Sequence, residues 1–193
     1  MKKLVIALVC ILLVVGVVGG TLAWLTDTSD TVTNVFTTSD INITLTESEG
    51  LDLQMIPGWT ITKDPKVTVK AGSEKCWLFV KVDESANFDN FMTYTIAEGW
   101  TAGEGSDEGK NGVPVGVYFR IVETGISDQD FPVIKDNTVT VKSEVTKEMM
   151  NVLKAEGATQ PKLTITAYAT QLYKTNGVEF DVDDAWAIFT ATP

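Results

Sequence analysis

The sequence predicts an all-β protein: a jelly-roll-like antiparallel β-sandwich with one or two short helices, preceded by a signal peptide. Three observations carry that expectation. Stretches of period-two alternation rich in Thr, Val, Ile and aromatic residues recur along the chain, which is the pattern of half-buried strands. A single segment shows convincing helical spacing. The first residues have the order of an export leader.

The leader opens with Lys2 and Lys3, runs apolar for 15 residues from Leu4 to Val18, and closes on Gly19-Gly20-Thr21-Leu22-Ala23. A basic n-region, a short h-region and small residues at a cut site are the grammar of a secretory signal peptide. Thr21 and Ala23 stand where a signal peptidase reads small side chains, which places the cut between Ala23 and Trp24. A membrane anchor is the rival reading, since extending the run through Leu25 reaches the roughly 20 residues a spanning helix needs. Cys10 lies within the apolar run without small residues just before it, which argues against lipid modification.

Strands are expected in order at Ile41–Thr46, Lys66–Lys70, Trp77–Val82, Phe91–Ile96, Val115–Val122, Thr138–Lys142 and Leu163–Leu172. Trp77–Val82 is the most continuously apolar and suits the middle of a sheet. Val178–Asp181 pairs back across Asn176-Gly177, a favourable hairpin turn. Short strands in such number within one exported domain suggest a sandwich or jelly roll.

Val145, Met149, Val152 and Leu153 fall at helical spacing, with Thr146 as a candidate cap and Gly157 as a stop. The Met149-Met150 pair reads as core filling. A second short helix is expected over Asp183–Phe189, where an acidic start suits the positive end of the helix dipole. Glu98 to Gly112 holds five glycines and four acidic residues and reads as a mobile surface loop.

Composition narrows the chemistry. Loss of the leader removes Lys2 and Lys3 but no acid, taking the net charge from −11 to −13 and leaving 170 of the 193 residues, enough for one domain. So acidic a surface repels nucleic acid and anionic lipid. The mature chain keeps one cysteine, Cys76, and therefore has no internal disulfide; it sits in an apolar strand and reads as a core side chain. No histidine is present, which removes the HExxH zinc helix and the Ser-His-Asp and Cys-His catalytic arrangements.

Acids cluster at Asp128/Asp130, Asp181/Asp183/Asp184 and Glu104/Asp107/Glu108, and each cluster offers oxygen ligands for Ca2+. None follows the spacing of a calcium-binding loop, and solvated loop acids are the plainer reading. Asn42-Ile43-Thr44 matches a glycosylation acceptor inside an expected strand, a tripeptide common by chance. No catalytic, cofactor-binding or metal residue is assigned.

Four segments carry a resemblance. Gly19-Gly20-Thr21-Leu22-Ala23-Trp24-Leu25-Thr26-Asp27 resembles the signal and cut site of proteins processed by a SipW-type signal peptidase. Asn34-Val35-Phe36 through Asp40-Ile41-Asn42-Ile43 resembles an N-x-F-x-x-G-x-L-D-I stretch, with Ser39 at the glycine. Ala167-Tyr168-Ala169-Thr170-Gln171 resembles an A-Y-A-x-Q strand, and Ala185-Trp186-Ala187-Ile188-Phe189 a closing A-W-x-x-F element. Together they resemble the TasA/camelysin (CalY) family of exported matrix and surface proteins.

The resemblance implies a jelly-roll subunit that polymerises by donating its N-terminal strand to a neighbour. It divides the chain into a signal peptide (1–23), a donor segment (24–38) and a β-sandwich domain (39–193). Trp24, Leu25, Val32, Val35 and Phe36 are the apolar residues of the donor segment. Some members are described as zinc endopeptidases, an activity whose His-based site has no counterpart in a chain without histidine.

The expected function is a secreted, non-enzymatic structural protein of the extracellular matrix or cell surface, assembling into biofilm-matrix-type fibres. Its expected partners are further copies of itself, a SipW-type signal peptidase and an accessory matrix or anchoring protein, with no nucleic acid. No cofactor is expected, with Ca2+ at the acidic loops left open. Two other readings stay open: a camelysin-like surface metallopeptidase using only carboxylates and water, and a membrane-anchored adhesin or spore-coat-associated protein that retains its leader.

Overall fold

The computed structural model describes residues 40–48, 55–174 and 177–191. Within them the protein is mostly antiparallel β-sheet with a few short helices, as the alternation predicts. The leader, the donor segment and the Asn176 turn position lie outside the described residues.

The central sheet is built on the apolar run that begins at Cys76. Strand β4 (Cys76–Glu84) pairs on one side with β10 (Leu163–Gln171) and on the other with β7 (Val117–Val122), which pairs in turn with β6 (Thr101–Ala102). Two faces of β4 are buried, because it has a covering layer on each. Cys76, Leu78, Val80 and Val82 share one cluster with Val67 and Val69 of β3 (Lys66–Val69). That strand is the middle of a second sheet, flanked by β1 (Ile43–Thr46) and β8 (Gln129–Pro132). The two sheets thus face each other over a shared aliphatic core, with Leu163, Ile165, Ala167 and Ala169 of β10 along its margin.

The alternate residues of the central sheet face the other way. Phe79 and Phe119 pack with Ala185 and Trp186 of helix α3 (Val182–Thr190), and Trp77, Tyr168 and Phe189 line the margin. Aromatic rings dominate this layer: the centroid of Phe79 lies 5.4 Å from Trp186 and 6.0 Å from Phe189, and Tyr168 meets Trp186 edge-on at 5.4 Å. The Trp77 indole N–H donates to the Phe180 carbonyl at 3.1 Å, fixing the approach to the helix. Asp183 and Asp184 occupy its first turn, as the dipole argument expects.

A third, smaller sheet joins β2 (Thr60–Thr62), β9 (Thr138–Val141) and β5 (Met92–Thr93). It packs through Val141, Phe91, Val145 and Leu153 against helix α2 (Lys147–Val152). Helix α2 begins as the candidate cap suggests, with the Thr146 hydroxyl accepting from the Met149 N–H at 3.3 Å. Met149 and Met150 are core-filling neighbours of that cluster.

Two expectations are corrected. Phe91–Ile96 is not one strand: Phe88–Phe91 forms helix α1, only Met92–Thr93 pairs in the small sheet, and Ile96 makes an isolated bridge to Ile134. Phe88 and Phe91 are both buried and three residues apart, so one helical turn delivers both rings inward where a strand would split them. The segment from Glu98 to Gly112 is surface loop in part, but it is stitched down. It contains β6, its Gly105 N–H donates to Val113 O at 2.8 Å, and the Asn111 amide bonds Glu104 N and Ala102 O. Gly103 is required there, since a Cβ would fall 2.1 Å from the Pro114 carbonyl oxygen.

Candidate functional site

The feature that stands out from this fold is an open side. Strand β10, nine residues long, has a ladder partner only in β4 among the described residues. Its sequence Leu-Thr-Ile-Thr-Ala-Tyr-Ala-Thr-Gln holds no proline, lysine or other charge, the usual devices that blunt an exposed edge. Every second main-chain N–H and C=O along such an edge points away from β4, with no described strand to receive it. All of its residues but Gln171 are half-buried.

The neighbouring sheet ends on the same side. Strand β1 lies against β10, yet its ladder partner among the described residues is β3 alone. Ile43 and Leu45 sit opposite Val69 and Val67, both of which are buried. Ile43 packs against the shared core, whereas Leu45 is 38% exposed. Leu45 is thus an apolar side chain aligned with core residues but left partly uncovered on this side of the fold. The chain enters the described region nearby, for the Asp40 carbonyl accepts from Glu74 N–H two residues before β4 begins.

This arrangement suits strand addition. An incoming strand along β10 would extend its ladder through main-chain hydrogen bonds. The expected donor residues Trp24, Leu25, Val32, Val35 and Phe36, and the cut between Ala23 and Trp24, lie outside the described residues.

The remaining sequence candidates are placed as follows. Asp128 accepts from Ala71 N–H and from Lys70, both at 2.9 Å, and Asp130 accepts from Lys66 at 2.8 Å and from the Thr68 hydroxyl at 2.6 Å. These bonds hold both carboxyls below the ordinary carboxylate value. Asp107 pairs with Lys110 and Asp184 with Lys174. Lysine thus engages a member of each acidic cluster, and no group of three or more metal-ligating side chains converges among the described residues. Cys76 is fully buried, and burial pushes its thiol up to about 11. An apolar depression of about 600 Å³, lined by residues that include Phe91, Met149, Val152 and Leu153, holds no titratable side chain. No helix among the described residues is long and apolar enough to cross a membrane.

Comparison with protein-family models, with curated proteins and with solved structures finds no match for this chain.

Proposed function

We propose that this chain is a secreted, non-enzymatic structural subunit with a jelly-roll-like body, akin to the TasA/camelysin proteins, that polymerises into extracellular fibres by strand addition. A SipW-type signal peptidase removes residues 1–23, and residues 24–38 of one copy then pair along the β10 edge of the next. The uncharged nine-residue edge of β10, which has no second ladder partner among the described residues, is the observation that carries this reading. An edge of that length and composition is a template for another strand, and a soluble protein ordinarily covers it.

The energetics are adequate. If four or five apolar donor side chains are buried, each contributes about 1.5–3 kcal/mol, and each main-chain hydrogen bond adds about 0.5–1.5 kcal/mol net. The sum offsets the cost of ordering a fifteen-residue segment only when most of these contacts form together, which favours assembly over transient docking.

The test is electron microscopy of three proteins: one beginning at Trp24, one lacking residues 24–36, and one carrying Leu45→Glu. Fibres are expected from the first alone. Equal fibre formation by the truncated protein would refute strand donation, and equal formation by Leu45→Glu would remove the side of the fold shared by Leu45 and β10 as the receiving side. Mass spectrometry of the exported product tests processing, with a first residue of Trp24 expected.

A further inference from the structure

Arg120 is the sole arginine of the chain. It lies on β7 opposite Leu78, on the face that looks into the shared core, far along the sheet from the β10 edge. Its guanidinium is held between two aromatic rings, with Cζ 4.3 Å from the centroid of Phe131 and 5.6 Å from that of Trp100. Trp100 is itself fixed by its indole N–H, which donates to the Pro132 carbonyl at 2.9 Å. Gly99 closes the third side: a Cβ there would stand 3.1 Å from a terminal nitrogen of Arg120, and its φ of +86° suits glycine.

Among the described residues nothing answers this cation. Its Nε is buried with no hydrogen-bond partner, and every ion pair among the described residues uses a lysine. The two acids nearest in sequence to its aromatic walls are engaged elsewhere, Glu98 with Lys135 and Asp130 with Lys66. A guanidinium carries five N–H donors, and a buried donor left unmet is costly. Stacking accounts for the faces of the guanidinium plane but not for its donor edge.

We propose that Arg120, set between Trp100 and Phe131, is a binding site for a single carboxylate. The planar fork of an arginine matches a carboxylate through two parallel hydrogen bonds. A single guanidinium balances one negative charge and so does not suit a dianion or a polyanion, whose extra charge would go unmatched there. The carboxylate comes either from an acidic side chain of a second copy, plentiful on a chain of net charge −11, or from a small free carboxylate. The site stands whether or not the chain polymerises through β10.

A lone arginine makes the test direct, because its Nε–H gives a single resonance in a proton–nitrogen correlation spectrum. Absence of that signal from Arg120→Lys assigns it. The exported wild-type protein is then titrated with sodium acetate, with sodium phosphate and with sodium chloride at matched ionic strength, and separately diluted without added anion. A saturating shift with acetate that chloride does not reproduce supports a free carboxylate. A shift that disappears on dilution and returns with acetate supports a carboxylate of a second copy. Indifference to both acetate and dilution, or an equal response to chloride, overturns the proposal, and saturation at lower phosphate than acetate overturns the choice of ligand.

Discussion

Replacing Phe79 by alanine tests how the aromatic layer holds the C-terminal helix. Phe79 is fully buried and touches the rings of Trp77, Phe119, Trp186 and Phe189, with centroids between 5.4 and 6.3 Å away. Truncating a buried phenylalanine costs about 3–5 kcal/mol, and loss of its ring pairings places this site at the upper end. A single domain is stable by about 5–15 kcal/mol in all, so the variant stays folded only narrowly. For a domain of this size the melting temperature falls by about 2–4 °C per kcal/mol, a drop on the order of 10–20 °C. Urea unfolding followed by tryptophan fluorescence measures the change, with Val115→Ala as control, since Val115 is 79% exposed. A loss below about 1 kcal/mol, or one no larger than the control's, would show that helix α3 does not rest on Phe79.

Three further outcomes are expected. Gly103→Ala destabilises the protein by about 1–3 kcal/mol in the same assay, because the clashing atom is a backbone carbonyl oxygen that cannot swing aside; an unchanged midpoint counts against the close approach. Hydrogen bonds from Ala71 N–H to Asp128 and from Lys66 to Asp130 lower both carboxyl pKa values in the fold. Their contribution is therefore complete above the unfolded value of 3.8 and is lost as pH falls through the folded values. Melting temperature recorded from about pH 6 down to about pH 2 should decline at the acid end, less steeply in Asp130→Asn, and identical slopes would remove that contribution. Cys76 in a Cys10→Ser background should resist a thiol reagent at about pH 8 until the protein unfolds, since burial keeps it protonated; prompt labelling of the native protein contradicts its placement.

Alternation made the longer strands legible. β4, β7, β9 and β10 fall within a residue or two of where period-two patterning sets them, because each keeps its faces distinct over enough residues to register. β2 does not announce itself, being three residues long, and β8, no shorter than β9, is obscured because it ends on Pro132. Phe91–Ile96 misleads because six residues of mixed apolar character fit either period. The open edge is another matter: that Leu163–Gln171 is a strand is visible in its sequence, but that no described strand pairs beyond it depends on sheet order. Arg120 left a signal that a reading by motif passes over. A charge at the alternate position shared with Tyr118 and Val122 points toward the core, and in a strand that is unusual enough to ask what meets it.

The layer under helix α3 also dictates when this domain becomes whole. Trp77 reaches for a carbonyl 103 positions later in the chain, and Phe79 waits as long for its cover. Until Val182–Thr190 arrives, one entire side of the central sheet is a bare aromatic plate. A product cut short by even a dozen residues would carry every strand and still be sticky, so ribosomal stalling or C-terminal clipping should send this protein to aggregates or proteases rather than leave a slightly weakened fold.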